Sequence, residues 1–174
     1  MKRLFLLLFV VVFGLKGFNQ QIDTLIFDND FEKEIFTNYI NSKNVDPVDL
    51  FLSLNYKNEY VGIKEKLNTF YSKLDNIDVV HLKNKKKIKT IYNLVHDEFL
   101  KKYEAESFFN DIFSMGNFNC VSASALYSIV LDRFNIKYEI KETPMHVYLI
   151  ADPGNTGYLI ETTTPTAGVF QFDD

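Results

Sequence analysis

A single cysteine, Cys120, stands in a chain of 174 residues, so no internal disulfide can form and thiol chemistry has one place to occur. Tryptophan is absent and histidine appears three times. Positive charge is in deficit. The formal net charge is −4, and loss of a leader carrying Lys2, Arg3 and Lys16 would lower it by those three charges. An acidic chain is poorly suited to hold a polyanion, which argues against nucleic acid as a partner.

Long apolar runs are also missing. The longest, Leu4 to Leu15 broken only by Gly14, follows Lys2 and Arg3 and falls short of the ~20 residues that a bilayer-crossing helix needs. A charged start followed by a short apolar run reads as a signal peptide over residues 1–20. Lys16 to Gln20 lack a small-x-small cleavage pattern, and no cysteine offers a lipid attachment point, so a retained membrane anchor through residues 1–20 is the alternative. Either reading exports the remainder, to the periplasm or the medium.

What is present suits one globular domain over residues 21–174: 47% of residues are hydrophobic and 16% aromatic, with Phe and Tyr in excess, a make-up that argues against disorder. Residues 21–104 read as helical. Asp28, Asn29 and Asp30 are good caps for a first helix bearing Phe31, Ile35, Phe36, Tyr39 and Ile40. A calcium loop would need Gly and Glu where Lys33 and Tyr39 stand. Asp46-Pro47 opens a short helix to about Leu54, and Tyr60 to Leu74 a third. From about Leu82 to Tyr103, Ile88, Ile91, Tyr92, Val95 and Phe99 keep one face apolar, the strongest helical signal in the chain. Lys83, Lys85, Lys86, Lys87 and Lys89 at its start read as a solvated face, with a contact to an anionic polymer or lipid surface as the lesser alternative. His81 and His96 have no metal-ligand spacing around them, and no cofactor or metal is expected. Phe108, Phe109, Ile112 and Phe113 read as core packing, with an aromatic-lined cleft as the lesser alternative.

The chain is organised around Gly116 to Leu131, GNFNCVSASALYSIVL. Gly116, Asn117 and Asn119 form a turn or cap signal, and Val121, Ala125, Leu126, Ile129 and Val130 then recur at helical spacing. Cys120 therefore falls in the first turn, where the positive end of a helix favours a thiolate. Ser122, Ala123, Ser124 and Ala125 let that helix lie close to a neighbour. The period then changes from helix to strand. Ile136, Tyr138 and Ile140 alternate with Lys137, Glu139 and Lys141, the pattern of a half-buried strand. Met145–Ala151, Gly157–Thr162 and Gly168–Phe172 read as three more, with Asp152, Pro153, Gly154 and Asn155 as a turn. His146 and Glu161 lie on adjacent predicted strands.

Cysteine on a helix, then histidine and an acid on successive strands, resembles the core of the transglutaminase-like superfamily within the papain-like cysteine fold. The likeness runs from Gly116 to Pro165, within a core expected over residues 105–174. It rests on order and spacing: 26 residues separate Cys120 from His146, and 15 separate His146 from Glu161. It implies an α+β fold, with helices packed on a cysteine-bearing helix and a small antiparallel sheet, and a catalytic triad of Cys120, His146 and Glu161. Two features depart from the pattern: Glu161 is followed by Thr162 and Thr163 where Asp-Pro-Thr is usual, and no tryptophan stands near the site. Relatives often continue beyond the last strand, so the resemblance also implies a shortened or pared sheet edge.

On this reading Cys120 attacks an acyl carbon, His146 carries the proton and Glu161 orients the ring. The Cys120 backbone N–H is one oxyanion donor, with Asn117 and Asn119 as side-chain candidates. The expected function is an exported cysteine protease or amidase, or an acyltransferase, acting on a peptide, a protein or a cell-wall peptide. The alternative is a non-catalytic binding or assembly domain on the same scaffold.

Overall fold

In the computed structural model, which describes residues 25–42, 45–53, 55, 57–163 and 168–171, polar side chains start the early helices where the sequence predicts. Helix α1 (Asp30–Ser42) begins with a reciprocal cap: Asn29 Oδ1 accepts from the Glu32 N–H at 2.8 Å, and the Glu32 carboxylate accepts from the Asp28 N–H at 2.7 Å. The Asp28-Asn29-Asp30 run thus serves as a cap, through the Asn29 side chain and the Asp28 N–H. Helix α2 (Pro47–Leu52) starts at Asp46, whose Oδ1 accepts from the Val48 N–H at 2.9 Å. Helices α3 (Lys57–Asn76) and α4 (Asn84–Phe99) are joined through a 3-10 turn at Val79–His81. The expected leader at residues 1–20 lies outside the described residues. Among the described residues no helix is long and apolar enough to cross a membrane.

Helix α4 buries Ile88, Ile91, Tyr92, Val95 and Phe99, as its period predicts. It stops at Phe99 and does not continue to Tyr103. The reason lies in Gly116, whose carbonyl accepts from the N–H groups of Lys101 and Lys102 at 2.8 and 3.1 Å. Two short strands form there, β1 (Lys102–Tyr103) and β2 (Asn117–Phe118), paired in parallel. Gly116 has φ +75°, and a Cβ on it would lie 2.4 Å from Lys101 Cγ. Only glycine permits so close an approach in that conformation. Asn117, read as a turn or cap residue, is consequently a strand residue.

Between these strands the short helix α5 (Asp111–Ser114) buries Ile112 and Phe113. Phe109 is buried beside them, but Phe108 is 72% exposed, contrary to its expected place in the core. Helix α6 (Cys120–Arg133) follows, with Ser122 through Leu131 all buried. A helix apolar or small on every side suits the centre of a molecule. Its serines are accommodated by hydrogen bonds: Ser128 Oγ donates to the Ala125 carbonyl at 2.8 Å, and Ser124 Oγ to the Val147 carbonyl at 3.4 Å.

The sheet is antiparallel, in the order β3 (Tyr138–Thr143), β4 (His146–Ala151), β5 (Tyr158–Ile160) and β6 (Val169–Gln171). Asp152, at φ +54°, turns the chain from β4 to β5. Helix α6 packs on β4, and α4 on β5 and β6. Leu149 and Ile160 lie opposite each other and fully buried on the helix side, each contributing about 2 kcal/mol of transfer free energy. The alternation predicted for β3 fails at Ile140, which is exposed. As an edge strand, β3 overhangs the helix beneath β4. The described architecture is therefore mixed α+β, with six α-helices, one four-stranded antiparallel sheet and one two-stranded parallel pair.

Candidate active site

Cys120 is the first residue of α6, at the end of the helix that Asn119 caps. Asn119 Oδ1 accepts from the Ser122 N–H at 2.9 Å, and Ser122 Oγ accepts from the Asn119 N–H at 3.0 Å, closing a capping box. The Asn119 amide donates to the carbonyls of Ala105 and Ser107, both at 2.9 Å. Both amide hydrogens are committed, which removes Asn119 from the oxyanion donors. The cap leaves the N–H groups of Cys120 and Val121 without helical partners, as the first turn of any helix does. Asn117 is half-buried on β2.

His146 is the first residue of β4 and Glu161 the first after β5. Their side chains meet: His146 Nε2 lies 3.0 Å from Glu161 Oε2. The other carboxylate oxygen, Oε1, accepts from the Thr163 N–H at 2.9 Å and the Thr163 hydroxyl at 2.8 Å. Burial pushes the Glu161 carboxyl up, but the Thr163 N–H, the Thr163 hydroxyl and the His146 ring together outweigh it and hold the group below its ordinary value. Glu161 is therefore an anion near neutral pH, fixed at both oxygens. With Nε2 engaged, the ring's Nδ1 has no hydrogen bond among the described residues.

A third contact was not legible as part of the site. Tyr92, on the apolar face of α4, is 3% exposed and its hydroxyl donates to the Glu161 carbonyl at 3.1 Å. Burial, and next the Glu161 charge, raise that hydroxyl, so it stays a protonated donor. Tyr92 is itself held by Tyr127 of α6, whose hydroxyl donates to the Tyr92 carbonyl at 3.2 Å and whose ring stacks on it at 5.5 Å and 7°. The cysteine-bearing helix is thus tied through α4 to the main chain at Glu161.

Of the three residues the sequence singled out, His146 and Glu161 are hydrogen-bonded to each other, and Cys120 is half-buried with no hydrogen bond to the ring. Its position relative to the sheet is set by packing. Ser124, which bonds to Val147, lies one helical turn after Cys120 on the same face of α6, because residues four apart share a face. Val147 in turn adjoins His146. Sheet parity gives the ring a different side from the buried Leu149 and Ala151, and it stacks on Tyr148 at 6.0 Å and 24°. The ring thus sits at the start of β4, on the opposite side of that strand from the one packed on α6. Among the described residues no group of His, Cys, Asp and Glu is placed to hold a metal ion.

No family model, curated protein or solved structure matches the chain.

Proposed function

We propose that the chain is a thiol enzyme that cleaves or transfers amides, in which Cys120 is the nucleophile, His146 the proton carrier and Glu161 the residue that positions the ring. The observation that carries this reading is the His146–Glu161 hydrogen bond at 3.0 Å, with the second carboxylate oxygen clamped by Thr163, at the end of the strand on which the cysteine helix packs. A half-buried acid held below its ordinary value and aimed at an imidazole, whose other nitrogen has no hydrogen bond among the described residues, is the arrangement that general-base activation of a thiol requires. The order of cysteine, histidine and acid is also that of the transglutaminase-like superfamily, and the α+β arrangement is compatible with its core.

In the proposed cycle Cys120 Sγ passes its proton to His146 Nδ1 and adds to the amide carbon. The oxyanion faces the N–H groups of Cys120 and Val121. The ring gives its proton to the leaving nitrogen, the C–N bond breaks, and a thioester remains on Cys120. Water or a second amine then adds to the thioester carbon and loses a proton to the ring, and sulfur leaves and is reprotonated. Water gives hydrolysis and an amine gives transfer. A peptide or cell-wall peptide amide on an exported enzyme is the substrate class this reading favours.

The test is the rate of Cys120 alkylation by iodoacetamide between about pH 5 and 8. Activation by the ring predicts that His146→Ala slows alkylation at the acid end about tenfold or more, and that Glu161→Gln slows it less. Equal rates in the original chain and His146→Ala would end the proposal.

A further inference from the structure

The first turn of α6 has a second neighbour, on the flank turned away from the sheet. There α6, α2 and the segment leading into α5 enclose a groove of about 460 Å³, within the size range of sites for small ligands and single side chains. Its walls include Phe51, Phe108, Phe109, Val121 and Ala125, and none of the ten residues lining it carries a charge, in a chain of which 24% is charged. Phe108, Val121 and Phe51 are 72, 57 and 45% exposed. Three large apolar side chains are thus left facing water around one concavity, although the neighbouring Phe109 is buried. The carboxamide of half-buried Asn110, also in the wall, has no hydrogen bond among the described residues.

The groove's position says what it would hold. Two of its wall residues, Asn119 and Val121, bracket Cys120 in the chain. Successive helical residues point ~100° apart, so the thiol lies towards the sheet and Val121 towards the groove. A ligand touching both must cross the N-terminal end of α6, over the free N–H groups of Cys120 and Val121. An extended peptide advances ~3.3 Å per residue, so a side chain one or two residues from a carbonyl poised over Cys120 reaches the groove.

We propose that this groove is the specificity subsite of the thiol reaction, and that it takes a large uncharged side chain, aromatic or branched aliphatic, from a peptide substrate whose main chain bonds to Asn110. This rests on the reading of Cys120 as the nucleophile. Phe51 and Phe108 supply the faces on which such a side chain stacks. An acidic or basic side chain would lose its hydration against walls that offer no opposite charge.

The experiment compares alkylation rates of Cys120 in the full chain by peptide-like probes. Chloroacetyl-phenylalanine amide and acetyl-phenylalanine chloromethyl ketone place the ring on either side of the reacting carbon; glycine and aspartate versions serve as comparisons. At least one phenylalanine probe should react about tenfold faster than its glycine and aspartate counterparts, the equivalent of about 1.4 kcal/mol. Phe108→Ala and Phe51→Ala, both at exposed positions, should each bring that ratio to within about threefold of one. Taking ratios removes any change in the thiol itself. Ratios near one in the original chain, or a preference surviving both substitutions, would overturn the subsite. Iodoacetamide with His146→Ala separates the two claims: a phenylalanine preference without dependence on His146 leaves a binding groove and removes the thiol enzyme, whereas the reverse removes the groove alone.

Discussion

The His146–Glu161 pair is held by side chains aimed at it, whereas Cys120 is held through its backbone. The Glu161 carboxylate has three hydrogen bonds, one with His146 and two from Thr163, and Tyr92 adds a fourth at the Glu161 carbonyl. Cys120 receives none at sulfur among the described residues; its place follows from a capping box before it and from Ser124 against β4 after it. The carboxylate and ring must keep one orientation to each other, and directed bonds with their narrow angular range provide that. The thiol must approach a substrate, the ring and an alkylating reagent in turn. A side chain free at its tip on a fixed helix end allows this.

The largest expected effect comes from breaking the cysteine side at its anchor. Asn119→Ala removes the acceptor for the Ser122 N–H and both donors to Ala105 and Ser107, and should destabilise the fold by about 2 kcal/mol, read from a denaturant midpoint. If the cysteine side is positioned only through the backbone, alkylation of Cys120 in the folded fraction should become less dependent on His146. A loss of stability with the His146 dependence intact would show that α6 is held elsewhere.

On the other side, Tyr92→Phe deletes one hydroxyl and keeps the stack on Tyr127. It should cost about 1 kcal/mol of stability. As a positioning residue Tyr92 acts through Glu161, so the substitution should also flatten the pH profile of alkylation, whereas loss of a purely structural bond would leave the profile's shape unchanged. The profile therefore decides whether the tie from α6 through α4 to the Glu161 main chain bears on the chemistry.

Much of this contrast was visible in the sequence, and what was not has a common cause. The caps at Asp28–Glu32 and Asp46-Pro47, the buried face of α4, the cysteine at a helix start and the turn between the histidine and acid strands are local patterns, each contained within about 15 residues. Tyr92 counted only as one member of an apolar stripe, because its hydroxyl partner is 69 positions away. Asn119 could be read as a cap, but the carbonyls that occupy its amide come from a segment with no local signal. Gly116 signalled a turn without revealing that its carbonyl would end α4 and pair two strands. Phe108 and Phe109 are adjacent and chemically identical, and only the path of the chain into α5 exposes one and buries the other. The alternating residues around Ile140 do form β3, but an alternating sequence does not say whether a strand is central or at an edge, and at the edge Ile140 is exposed.

The smallest expected effect sharpens the comparison most. Thr163→Val removes one donor from Glu161 Oε1 and leaves the Thr163 backbone N–H in place. Because the folded protein holds the Glu161 carboxyl below its ordinary value, the ionised form stabilises the fold at pH above the ordinary carboxylate range, and this contribution is lost as pH falls through the lowered folded value. Removing a donor brings the folded value back towards the ordinary one. The stability difference between the original chain and Thr163→Val should therefore be about 1 kcal/mol near neutral pH and should shrink below about pH 4.5 as Glu161 takes up its proton in both. Denaturant midpoints measured at several pH values give the difference directly. A gap that stays constant down to acid pH would mean that the Thr163 hydroxyl supports the loop after β5 rather than the charge of Glu161, and the carboxylate would then be no more deliberately held than the thiol.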